Sequence, residues 1–126
     1  MSLHAVGPEV SAVRPEVFAR LGFKAKLVCS VDAYPTPHIW WFKDGTGEIS
    51  MDPIFQYKYV FYVALISGGR YTVDNEVDPT LNSKMVTELE IDKVSHLDWG
   101  VYTCKAENRI GNHEAAVVLK GKQCYL

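Results

Sequence analysis

The sequence predicts an all-β sandwich, and three features carry that prediction. Short segments alternate apolar and polar residues with period two, turn residues separate them at fairly regular spacing, and no long segment repeats with the 3.6-residue period of an amphipathic helix. At 126 residues, 48% of them hydrophobic, the chain has apolar material for one domain with a single core.

The clearest strand is KAKLVCSV, in which Ala25, Leu27, Cys29 and Val31 share one face and Lys24, Lys26, Val28 and Ser30 the other. TPHIWWFKDG follows as a strand running into a Lys-Asp-Gly turn, with Ile39 and Trp41 on one face and His38, Trp40 and Phe42 on the other. MVTELEIDKV turns Thr87, Leu89 and Ile91 inward and Glu88 and Glu90 outward. GVYTCKAEN turns Tyr102, Cys104 and Ala106 inward, against Val101, Thr103, Lys105 and Glu107. HEAAVVLKG supplies a last strand with Ala115, Val117 and Leu119 as its inner set.

Composition narrows the function classes. A net charge of −2 with scattered basic residues lacks the electrostatic footprint that nucleic acid requires. The start, MSLHAVGPEV, has no basic segment followed by an apolar core, so residues 1–7 are read as a leader remnant. No run reaches the roughly 20 apolar residues that span a bilayer, and direct membrane insertion is not expected. Cys29, Cys104 and Cys124 form no C-x-x-C motif, which leaves one disulfide with a spare thiol or three free thiols.

Candidate chemistry is weak throughout. His113 and Glu114 begin like H-E-x-x-H, but Val117 stands where the second histidine belongs. His96 lies near Asp98 without a nucleophile on any recognisable elbow. The histidines are read as solvated loop or strand-face residues. The GTGE segment, Gly45 to Glu48, precedes no helix and is read as a turn. Asp74, Glu76 and Asp78 in DNEVDPT lack the glycine and terminal glutamate of a calcium loop and are read as a solvated turn. No enzyme activity, metal or cofactor is expected.

Two features single out a type of sandwich. Cys29 precedes Trp41 by twelve residues, and Asp98, Gly100 and Tyr102 in DWGVYTC occupy the places that a tyrosine corner demands. Together with GGRYTV, LEIDKV and AENRIG, in that order along the chain, they make the sequence resemble an immunoglobulin domain of the intermediate, or I-set, kind. The resemblance covers about residues 8–120, followed by a linker at 121–126. It implies an inter-sheet disulfide between Cys29 and Cys104 with Trp41 packed on it, a core and corner built on Leu89 and Tyr102, and an Arg70–Asp98 ion pair across one end.

Recognition then falls to the sheet surface. Alternation sends Trp40 and Phe42 to the outer face of the sheet that also carries the strands of Cys104 and Leu119, with Thr103, Lys105, Ala116 and Val118 as neighbours. That makes Trp40, Phe42 and Lys105 a candidate protein interface; the alternative is that one aromatic packs under a neighbouring loop. DAYPTPHIWWFKDG and CKAENRIGNHEAAVVL resemble neural cell-adhesion molecules of the lachesin and IgLON type. This implies a non-enzymatic adhesion module of a multidomain protein, extracellular and anchored at the cell surface, with a homophilic or heterophilic immunoglobulin-superfamily partner. The alternatives are a titin-like scaffold module of the cytoplasmic sarcomere and an immune or signalling receptor ectodomain. No N-x-S/T sequon occurs, which disfavours the surface reading mildly.

The departure from the family pattern lies at 46–69, a long apolar insertion between the C and D/E strands. Its run from Ile54 to Ile66 holds only Gln56 and Lys58 as polar residues. As one strand, thirteen residues would span about 43 Å, so a bend is expected. Exposed apolar edges template association, and Tyr57, Tyr59 and Phe61 are therefore added to the candidate interface as a homodimer edge through 54–66. Cys124 is read as a linker cysteine. A gene-model origin for the insertion is the alternative.

Overall fold

A computed structural model describes residues 5–44, 62–65, 70–78 and 83–121. Among the described residues, nine strands form two sheets: β1 (Val6–Ala12), β2 (Glu16–Ala19), β3 (Ala25–Tyr34), β4 (His38–Asp44), β5 (Tyr62–Leu65), β6 (Tyr71–Val77), β7 (Lys84–Ile91), β8 (Gly100–Glu107) and β9 (Asn112–Gly121). One sheet has the order β1-β3-β7-β6 and the other β2-β9-β8-β4-β5. The architecture is the all-β sandwich of the immunoglobulin type.

The alternation read in the sequence is the alternation of burial. Ala25, Leu27, Cys29 and Val31 from β3, Leu89 and Ile91 from β7, Trp41 from β4, Tyr102, Cys104 and Ala106 from β8, and Val117 and Leu119 from β9 are all buried between the sheets. Pairing sets their register: Leu27 lies opposite Leu89 across β3 and β7, and Trp41 opposite Cys104 across β4 and β8. Strands β3, β7 and β8 thus deliver alternate side chains to one core between the two sheets.

Two segments were not given by the alternation, one unassigned in the sequence and one read as a turn. The stretch before residue 20 lacks clean alternation, yet it forms two strands in different sheets. β1 pairs antiparallel with β3, and β2 pairs parallel with β9. The switch occurs across Val13, Arg14 and Pro15. Val13 donates its N–H to Val28 O at 3.0 Å, and Pro15, which has no N–H of its own, accepts from Val118 N at 2.8 Å. The segment read as a turn is DNEVDPT, whose Asp74 to Val77 are instead the end of edge strand β6, paired with Glu88 to Met85 of β7. An edge strand with one face in water tolerates alternating carboxylates, which also discourage further pairing.

Of residues 46–69, the described part is β5, which pairs antiparallel with β4 from Trp41–Leu65 to Asp44–Tyr62. The GTGE segment, most of the 54–66 run, and Cys124 lie outside the described residues.

Candidate functional site

Two constellations stand out, one inside the sandwich and one on its surface. Inside, Cys29 and Cys104 are joined by a disulfide with a Cα–Cα distance of 6.6 Å. The Trp41 indole is buried in the same core, and its Nε1–H donates to Thr87 Oγ1 at 2.9 Å. Thr87 is itself the register partner of Cys29. A buried indole N–H without an acceptor is costly, so Thr87 is the residue that makes tryptophan acceptable there.

At the end of the sandwich where β8 begins, Asp98 organises a polar cluster. It closes a short 3-10 helix, His96–Asp98, and forms a capping box with Ser95. Its carboxylate, 2% exposed, pairs with the Arg70 guanidinium. It also accepts from Ser95 N at 2.7 Å and from the Tyr71 hydroxyl at 3.4 Å. The Asp98 main-chain carbonyl accepts from the Tyr102 hydroxyl at 2.7 Å. Burial by itself raises the carboxyl pKa, but the hydrogen bonds from Arg70 and Ser95 and the charges of Arg70 and Lys43 outweigh it and hold Asp98 below the usual range. The Asp98 bond raises the Arg70 pKa, and burial raises that of Tyr102. Burial also lowers the Lys43 pKa against the opposing pull of Asp98, while the ammonium bonds Leu97 O. Every member of this cluster is occupied in holding the corner. Gly100 sits beside it at φ +140°, a conformation open to glycine and strained for other residues.

The surface constellation is the outer face of β4, β8 and β9. Trp40 is opposite Lys105 and Phe42 opposite Thr103; Thr103 in turn faces Ala116, and Lys105 faces Glu114. Trp40 is 38% exposed, with the His38 ring tilted against it at 6.0 Å between centroids. Phe42 and Lys105 are half-buried. Thr103, grouped in the sequence reading with the exposed neighbours, is only 6% exposed: on the middle strand β8, it lies between Phe42 and Ala116. The face therefore presents Trp40 above a filled centre rather than an open row. Tyr57, Tyr59 and Phe61 lie outside the described residues, so the structure brings together Trp40, Phe42 and Lys105 alone of the candidate interface.

Two further residues make structural bonds that the sequence reading did not assign to them. Asn108, at the tip between β8 and β9, donates from Nδ2 to Val6 O at 2.9 Å and Pro35 O at 3.1 Å. Its Oδ1 accepts from Ile110 N at 2.9 Å. One amide side chain thus closes the β8–β9 hairpin and ties it to the start of β1 and to the β3–β4 turn. The A-x-N-x-x-G pattern was the available signal. His113, read as a solvated histidine, accepts from Val10 N at 2.8 Å through Nδ1, and so links β9 to β1.

Comparison with known proteins agrees with this geometry. A family model described as "Immunoglobulin domain" matches residues 8–108. The chain is 31% identical to Drosophila melanogaster lachesin over 89% of its length and 26% of that protein. It is 38% identical to Gallus gallus myosin-binding protein H over 79% of its length and 14% of that protein. A chain of the solved complex of Dpr2 Ig1-Ig2 with DIP-Theta Ig1-Ig3 shares the fold, with a TM-score of 0.73 at 22% identity over 94% of this chain and 33% of that one. The chain thus spans under a third of the length of the curated relatives it matches.

Proposed function

The chain belongs to the immunoglobulin domain family, and from that premise we propose that it is a non-enzymatic recognition module of a multidomain cell-surface adhesion protein. The observation that carries the reading is the outer face of β4, β8 and β9, where Trp40 stays 38% exposed beside Phe42 and Lys105 on a rigid sheet. An exposed indole has the area of a binding hot spot, and the adjacent ammonium supplies orientation toward a partner carboxylate. The similarity to lachesin over 89% of the chain supports the adhesion class, with an immunoglobulin-superfamily protein as partner. The titratable residues with perturbed pKa values at the Asp98 corner are committed to the fold, which leaves recognition rather than catalysis for the surface.

Residues 8–120 are taken as the module, 46–69 as an insertion within it and 121–126 as a linker, β9 itself running through Gly121. The 54–66 tract is proposed as a second contact, joining two copies of the chain. Light scattering tests that part: a strictly monomeric chain at high concentration removes it.

A second reading is an intracellular scaffold module, favoured by the higher identity, 38%, to myosin-binding protein H. Surface proteins keep such disulfides oxidised and the cytosol keeps the thiols reduced. Alkylation and mass measurement of the protein from tissue, before any exposure to air, tests the choice. Free thiols at Cys29 and Cys104 would overturn the cell-surface assignment. Bead aggregation by the parent protein, with and without Trp40→Ala, tests recognition: the variant is expected to abolish clustering, and unchanged clustering would remove this face from the interface.

A further inference from the structure

The outer face of the β1-β3-β7-β6 sheet carries charges that sort by strand. Register lays rows across it: Lys26 lies opposite Glu90, Val28 opposite Glu88 and Ser30 opposite Val86 across β3 and β7. Asp74 and Glu76 of β6 continue the last two rows, opposite Glu88 and Val86. The alternation of burial along β7 turns Val86, Glu88 and Glu90 away from the core. Arg14, just past β1, lines one cleft with Val13, Lys26, Val28 and Glu88. At this end of the face, cations stand on the β1–β3 side and carboxylates on the β7–β6 side.

Part of that charge is satisfied within the sheet. Lys24 pairs with Glu90 at 3.1 Å, and at the far end Lys84 pairs with Asp32 at 2.9 Å, with Glu9 opposite Asp32. Arg14, Lys26, Asp74, Glu76 and Glu88 make no ion pair among the described residues. Asp74 and Glu88 are moreover direct cross-strand neighbours, and like charges so placed oppose the pairing of their own strands. A cation brought from outside would relieve that repulsion. Apolar side chains lie among the charges: Val13 is 56% exposed and Val86 44%, and Val28 is half-buried.

We propose that this face binds the same face of a second copy of the chain, about a two-fold axis running along the strands between β3 and β7. Such an axis lays β3 of each copy over β7 of the other, and β1 over β6. Arg14 and Lys26 of each copy then meet Asp74 and Glu88 of the other, and Val28 and Val86 gather around the axis. A face with one sign of charge throughout would repel its own copy; charge sorted to opposite sides selects it. Four strands and a ladder of eight pairs between β3 and β7 give a flat footprint of roughly 19 Å by 27 Å, about 500 Å². That is below the ~800 Å² per partner of a standard interface, so the dimer is reversible and sensitive to salt. The Trp40 face belongs to the other sheet, so the dimer leaves it free and presents two recognition faces pointing apart. The proposal does not rest on the adhesion reading or on the 54–66 contact.

Sedimentation velocity over a dilution series, at low and high salt, tests it with two charge-reversed chains. One carries Arg14→Glu and Lys26→Glu, the other Asp74→Lys and Glu88→Lys. The native chain is expected to dimerise, with a dissociation constant that rises at least tenfold at high salt. Each reversed chain alone is expected to be monomeric, and their equimolar mixture to form a heterodimer, because both of its ion-pair sets again join opposite signs. A native chain that stays monomeric overturns the proposal. So does a dimer that survives in either reversed chain, which would place the association elsewhere, as at the apolar 54–66 tract that charge reversal leaves untouched. Reversed chains that fail to associate when mixed overturn it as well. Circular dichroism and thermal melts verify folding; should a double change prevent it, Lys26→Glu and Glu88→Lys singly are judged by the same outcomes.

Discussion

Removing the Arg70 guanidinium is expected to destabilise the domain more than removing the Asp98 charge, although both changes break the same ion pair. The asymmetry follows from burial. Asp98 is 2% exposed and Arg70 45%, so the two partners lose different alternatives when left alone. In Asp98→Asn, the freed guanidinium turns to water, and the amide oxygen still accepts from Ser95 N. The cost is the charge-assisted part of the hydrogen bonds, about 1.5–2.5 kcal/mol. In Arg70→Met, the carboxylate stays buried with Ser95 N–H and the Tyr71 hydroxyl as its remaining donors. Breaking a buried pair in this sense costs about 3–4 kcal/mol. The double variant is expected to lie well short of the sum of the two, because a neutral amide beside methionine strands no charge.

Urea unfolding at pH 7 measures all three. The pH dependence supplies the sign. The folded-state pKa of Asp98 is depressed, so its contribution is fully present above the unfolded-state value of about 3.9 and is lost as pH falls through the folded value. The native chain should therefore lose stability in acid faster than Asp98→Asn does, and the gap between them should narrow. Equal costs for the two single changes, or a gap that does not narrow in acid, would refute the burial argument.

Other substitutions probe separate contacts. Thr87→Val keeps shape but leaves the Trp41 Nε1–H without its acceptor, and should cost about 1–3 kcal/mol in chemical denaturation followed by tryptophan fluorescence. Reducing the Cys29–Cys104 bridge, which closes a separation of 75 residues, should lower stability by about 4 kcal/mol in the chain-entropy picture. Melts with and without reductant check it, and coincident curves would count against it. Asn108→Ala removes the amide that joins the β8–β9 hairpin to Val6 and Pro35. Amide exchange around residues 107–112 should accelerate at least tenfold, with a global loss of about 1–2 kcal/mol.

Much of this domain was written locally. Period-two alternation assigns Ala25, Leu27, Cys29 and Val31 to one face whatever lies across from them, and the same holds for Tyr102, Cys104 and Ala106. The pleat is a property of the single strand, and a shift of one residue would put the whole apolar set in water. The positions of Cys29, Trp41, Asp98 and Tyr102 then sufficed to select the immunoglobulin type. The sequence by itself thus determined which residues face the core and which family of sandwich they build.

Tertiary structure decided what those faces meet. Whether β1 and β2 lie in one sheet or two depends on the partners β3 and β9, far along the chain. Asp74 to Val77 become strand because β7 offers them an edge. Thr103 is covered because its strand is the middle one, and Asn108 and His113 matter through bonds to Val6 and Val10, residues 102 and 103 positions away. Such contacts form only after two sheets have assembled, and no local periodicity encodes which backbone group a side-chain amide or imidazole will reach.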